Sequence, residues 1–491
     1  MLPPSHHLRG RRLAETQDSG MRALLGGGVD GDRLAVTHFL VGAGFLVLGG
    51  ALSLLALLSL RFAGLFPVTY GRFEPMANLS LVIGFGVISL IGGVYYVLPR
   101  LTGTKLQGTA LAGLGLLGVS GLVVVGLIVI AFGLGTGRAP FDLPWWLNVL
   151  IGLALAVPMI VTIGTIANRE EERSYVTVWF VIGGTVWLAL LSLAYPIGDL
   201  SMLDALAVAY SNVFYSAGLV TLVIFTLGTG LFYYTIVREL DVALSSRQLA
   251  LIGFWSLGFA SVWWGLAQLI FGPGPSWISG VVAALGLAFP IGALANAANA
   301  SLTLEGSWGE LDDKPGIRAG VFGLYLAVGV AVLAALAGFR SVASVTSLTA
   351  FWEAIEYTAV AGVGALLVAG VSFQALPRLT GREIHSVERA RSFSRLTVVG
   401  TVGVLVSMGA AGVVSGYSWI AGSNSAAYID AGEGWGAGAG GVADALLLVA
   451  ILFAFVTFAG QLAYASTVFG TVTRGKARAQ EVLVSPGAAD E

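Results

Sequence analysis

His6, His7, His38 and His385 are the only imidazoles in this chain of 491 residues, and it contains no cysteine. Imidazole is a common metal ligand and the side chain whose ordinary pKa puts its charge change near neutrality. Here that chemistry is nearly confined to polar segments. His6 and His7 sit in an arginine-rich N-terminal tail and His385 in a polar connection, so only His38 falls within an apolar run. His38 lies close to the start of that run, where a structural role at a headgroup boundary is the expected one, ahead of a ligand or proton-carrying role. Without cysteine the chain forms no disulfide, thiolate metal site or c-type heme attachment. Carboxylates offer a second kind of chemistry. Glu353 and Glu356 are three apart, hence on one face of a helix, at the beginning of another apolar run; Asp204 and Asp444 hold similar positions. A shallow cation or proton entry site is the functional reading of such groups. The plainer expectation, taken first, is interfacial charge solvated by headgroups and water.

The elements that must position these groups are membrane spans. Apolar residues make up 56% of the chain and charged residues 11%, against about 25% charged in an ordinary soluble domain. Since about 20 helical residues cross a hydrocarbon core, the apolar runs predict an all-α integral membrane protein with twelve transmembrane helices. They fall near 35–60, 76–98, 109–134, 145–167, 176–197, 205–237, 248–272, 276–303, 318–338, 350–376, 394–421 and 441–468. Runs this continuous exclude a membrane β-barrel, whose strands alternate in short segments. With twelve spans, 21 of the 25 lysines and arginines collect on the two tails and the even connections, and only Arg61, Arg72, Arg138 and Arg340 fall on the other side. By the positive-inside rule both termini are cytoplasmic and the protein is a multi-pass protein of the cell membrane. Residues 1–34 read as a polar cytoplasmic tail, 35–470 as one membrane domain, and 471–491 as a second cytoplasmic tail. A net charge of −2 without a basic patch gives no reason to expect nucleic acid. The last outer loop, around Tyr417, Trp419, Tyr428 and Trp435, is rich in aromatic residues and glycine, as suits a membrane boundary or a docking partner.

Three spans end alike. The second closes with Tyr95-Tyr96-Val97-Leu98-Pro99-Arg100-Leu101-Thr102-Gly103 and the tenth with Leu376-Pro377-Arg378-Leu379-Thr380-Gly381, while the sixth closes with Tyr233-Tyr234 and then Arg238. Proline is expected to stop spans two and ten, and arginine to meet the phosphate region in all three. Because the three are four spans apart, they predict a pseudo-threefold arrangement of three four-helix arcs, each with room inside for a pore or cofactor.

In these repeats and in further motifs the chain resembles subunit I of the heme–copper oxidase superfamily, most closely the catalytic subunit of the cbb-type cytochrome c oxidases. Tyr70-Gly71-Arg72-Phe73-Glu74-Pro75-Met76-Ala77-Asn78 is similar to the opening of that family's second span. Pro144-Trp145, Gly164-Thr165-Ile166, Tyr175-Val176 and Trp179-Phe180 are similar to its fourth and fifth spans, and Val406-Ser407-Met408 with Gly416-Tyr417-Ser418-Trp419 to its eleventh. The resemblance implies a low-spin heme, a high-spin heme and a copper ion held by six histidines, with oxygen reduction and proton pumping as the activity. In this chain the implied ligand positions are Ala77 for the low-spin heme in span two, Ala217 for copper in span six, and Ala267-Gln268 for the pair in span seven. In span ten they fall near Ile355 and Tyr357, or Thr358 and Val360 under a three-residue shift. None is histidine, and methyl groups donate no electron pair.

The first expectation is therefore a cofactor-free homologue of cytochrome c oxidase subunit I, not catalytic on its own. It would be a structural membrane subunit of a respiratory or other redox complex, with other membrane or redox subunits and the lipid bilayer as partners. A second is a membrane protein conducting protons, small solutes or gas, for which Glu353, Glu356 and His38 form the possible polar site. A third is a terminal oxidase subunit with unusual ligands, among them Met76 or Tyr357.

Overall fold

Each apolar run becomes a helix because a backbone in hydrocarbon must satisfy its own N–H and C=O groups. In this computed structural model α1 is Asp30–Arg61, α2 Tyr70–Thr102, α3 Thr109–Ala131, α4 Trp145–Ala167, α5 Val176–Asp199 and α6 Ala205–Leu240. Then follow α7 Arg247–Ala260, α8 Trp277–Thr303, α9 Pro315–Ala337, α10 Ala350–Thr380, α11 Val387–Gly422 and α12 Gly440–Arg474. The structure describes residues 30–62, 64–171, 174–199, 204–260, 263–422 and 440–477. The expectations for His6 and His7, for most of both tails and for Tyr428 and Trp435 lie outside the described residues.

Eleven helices among the described residues are long and apolar enough to cross a membrane. The span expected at 248–272 differs. The described part of its helix, α7, has 14 residues, about 21 Å at 1.5 Å per residue, and Gly265–Leu269 form a 3₁₀ turn. There the backbone of Gly265 is pressed against α6: a Cβ on it would stand 2.6 Å from Ala217 Cβ.

The predicted repeat is visible as the centre of the bundle. In their most apolar stretches α2, α6 and α10 are 100%, 89% and 100% buried, whereas no other span exceeds 61%. The other helices wrap around these three, and α12 packs on α1 to close the ring. Each central helix widens into a π-helical segment, Leu79–Val87 in α2, Leu219–Phe225 in α6 and Thr358–Gly364 in α10. The three segments meet one another. Ile224 of α6 is keyed between two glycines, 3.1 Å from where a Cβ would stand on Gly86 of α2 and 3.2 Å from that on Gly364 of α10. A side chain at either glycine would push the central helices apart.

The prolines of the repeated ends do not stop their helices. Pro99 and Pro377 lie inside α2 and α10, which continue to Thr102 and Thr380. The stop is the glycine that follows, left-handed at φ 71° for Gly103 and 63° for Gly381, whose N–H donates to the carbonyl of Pro99 or Pro377. Glycine takes that conformation without the Cβ penalty.

Candidate functional site

Within the first two turns of α2 and α10, carboxylates from both helices face one cavity of about 70 Å³, completed by α1 and α11. On α2, Tyr70, Glu74 and Asn78 follow at intervals of four and so share a face. On α10, Glu353 with Tyr357 and Glu356 with Val360 are each spaced by four, which sets the four residues on one side of the helix. Ser53, Ala56 and Leu57 of α1 and Met408 of α11 complete the wall, together with Ala77 and Leu81 of α2. The volume suits a few water molecules.

Each carboxylate in the cavity has a polar partner. Asn78 Nδ2 donates to Glu74 Oε1 at 3.0 Å, and the Tyr70 hydroxyl donates to Glu353. Gln268 Nε2, from the turn after α7, donates to Glu356 Oε1 at 2.8 Å. Glu353 and Glu356 thus face the bundle interior, which corrects the expectation that headgroups and bulk water solvate them. The reason lies in the neighbours: the paired face of α10 packs toward α2 and the α7 turn rather than toward lipid. Glu74 is the member that sequence reasoning missed. Its signal was the spacing of four from Tyr70 and to Asn78 within a motif noted only for its resemblance.

His38 does not join this group. It is buried on α1, donates from Nδ1 to the Leu34 carbonyl at 2.7 Å, and meets the Tyr95 ring edge-on at 5.2 Å. Gly92 of α2 makes room for it, since a Cβ there would stand 2.6 Å from His38 Cβ. The imidazole is a packed helix contact inside the bundle rather than a group at the headgroup boundary. Of the other acidic residues considered, Asp204 caps α6 by accepting from the Ala207 N–H at 2.7 Å. Asp444 lies 3.4 Å from Arg61. His385 packs the connection after α10 against Gly470 of α12.

The remaining implied ligand positions are filled by packing. Ala217 is buried against Gly265, and Ala267 is fully buried in the 3₁₀ turn. Beside them the Trp264 ring stacks on Phe289 at 5.3 Å and on Trp352 of α10 at 6.5 Å, and Phe289 meets Phe225 of α6 at 5.8 Å. Ile355 is fully buried. Tyr357 borders the carboxylate cavity but turns its hydroxyl to Thr457 of α12. No three acidic or histidine side chains among the described residues are placed to share one metal ion, the three glutamates included.

Residues 33–437 match the profile of a family described as cytochrome c and quinol oxidase polypeptide I. The chain is 25% identical to cytochrome c oxidase subunit 1 of Rhodobacter capsulatus, over 72% of this chain and 68% of the relative. It is 23% identical to the cbb3-type cytochrome c oxidase subunit CcoN1 of Stutzerimonas stutzeri, over 72% and 76%. Its fold is similar to that of a heme–copper terminal oxidase seen as a dimer by electron cryo-microscopy, with a TM-score of 0.74 at 16% identity, covering 91% of this chain and 85% of that one.

Proposed function

The chain belongs to the cytochrome c and quinol oxidase polypeptide I family, and we propose that it is a cofactor-free member serving as a structural membrane subunit of a respiratory or other redox complex. The observation that carries this reading is the filling of the implied copper and high-spin heme region. Ala217 and Gly265 touch there, and Trp264, Phe289 and Trp352 take up the space beside them. A heme needs an axial donor above its iron and a flat slot around it. At the low-spin position the cavity presents the Ala77 methyl and carboxylates in about 70 Å³, well short of the roughly 300 Å³ of a small ligand pocket. The residues present therefore do not fit the family's metal groups. The lysine and arginine partition supports a cytoplasmic position for both termini.

The deciding experiment is the visible spectrum of the chain purified in mild detergent, together with a heme assay and the identity of co-purifying proteins. No Soret band and a stable set of membrane or redox partners is the expected result. One heme per chain would overturn the reading.

The carboxylate cavity favours a second reading, a route for protons. Glu356 stands between Gln268 and a water-sized space shared with Glu74 and Glu353, an arrangement able to pass protons between oxygen atoms. In liposomes carrying the purified chain this predicts proton flux that falls at least about tenfold in Glu356→Gln, which keeps the shape but removes the exchangeable carboxyl. Equal flux in both, or none in either, rejects it.

A further inference from the structure

The arginines that close the three repeated spans converge on one basin. Arg100 of α2, Arg238 of α6 and Arg378 of α10 line a cavity of about 780 Å³ at the basic end of the bundle, joined by Arg247 at the start of α7. Among the described residues of its wall the one carboxylate is Asp241. Two of the guanidinium groups are held in place. Asp32 grips Arg100 with both oxygens, at 3.0 and 3.1 Å, while the Tyr96 ring lies 4.2 Å beneath it, and Arg378 is 3.4 Å from Glu239. The other two, Arg238 and Arg247, are exposed and enter no ion pair among the described residues. The basin thus has two anchored cations and two whose donors remain available.

We propose that this basin binds a phosphate ester. Guanidinium donors form a planar fork that matches two oxygens of a phosphate, and several converging on one cavity favour a group with more than one anionic oxygen. A bare phosphate would leave most of the volume unfilled, and Val176, Val237 and Leu244 add apolar wall, so the ligand carries an organic portion. Its depth at the arginine-rich end suits the headgroup of an acidic phospholipid; a soluble organic phosphate offers the same chemistry. The inference does not depend on whether the chain holds heme, because these arginines lie at the opposite end of α2 and α10 from the carboxylate cavity.

The test uses the full chain in phosphatidylcholine nanodiscs, with and without phosphatidylglycerol, and counts by native mass spectrometry the phosphatidylglycerol retained per chain after release into detergent. A second arm titrates inorganic pyrophosphate against the chain in phosphatidylcholine alone. The variant is Arg238→Gln with Arg247→Gln, two exposed positions whose change leaves the core intact; Arg340→Gln at the other end of the bundle is the control. Retention of phosphatidylglycerol that weakens about tenfold in the double variant, ~1.4 kcal/mol, and not in the control supports a lipid headgroup. The same dependence for pyrophosphate, without lipid retention, supports a soluble phosphate. Binding of neither probe, or binding unchanged in the double variant, overturns the proposal.

Discussion

Ala217 and Gly265 are two small residues whose contact gives a sharp test of the packed region. Gly265 has ordinary backbone angles, so Gly→Ala there would normally stabilise by about 0.4–1 kcal/mol through the unfolded chain. Here the added methyl would stand 2.6 Å from Ala217 Cβ and 3.1 Å from the Val213 carbonyl, and neither atom belongs to a flexible tip. Gly265→Ala is therefore expected to destabilise, by about 1–3 kcal/mol, read as a lowered melting temperature in detergent by tryptophan fluorescence. A raised melting temperature would mean that α6 and the α7 turn stand apart at this point. At the same scale, the identity of Ala77, Ala217 and Ala267 was legible from the chain alone, because a residue type is a local fact. That Gln268 reaches Glu356 was not. The two are 88 positions apart, and nothing in either neighbourhood records the other.

Helix by helix, the repeated ends located the central elements. Six shared residues at the ends of spans two and ten, with the echo in span six, identified the three helices that prove to be most buried. The π-helical widening in each was not legible, since it changes the hydrogen-bond register without requiring any distinctive residue. Nor was the 3₁₀ turn at Gly265–Leu269, which falls inside an apolar run that reads as one continuous span. The meeting of the three widened segments depends on Ile224, which touches α2 and α10 at once. Ile224→Ala is expected to cost about 2–5 kcal/mol, measured as loss of resistance to unfolding in sodium dodecyl sulfate. Loss below about 0.5 kcal/mol would place the stability of the centre elsewhere.

Across the whole molecule, the outward faces of α3, α8 and α12 carry large apolar side chains such as Leu114, Leu117, Leu294 and Leu452, suited to lipid or to neighbouring membrane subunits. This is why the proposed structural role calls for co-purifying partners to be identified in the same preparation as the heme assay. A fold by itself does not confer the chemistry of its relatives. The sequence by itself determined the membrane class, most of the span boundaries, the central trio and the residue types at Ala77, Ala217, Ala267 and Gln268. These follow from residue type, run length and local repetition. Tertiary structure alone decided that Glu74 joins Glu353 and Glu356, that His38 is set into the space beside Gly92, and that Arg100, Arg238 and Arg378 share one basin. The physical reason is that a helix apolar all round has no polar face to declare which side meets which neighbour, so those pairings are fixed only when the helices pack.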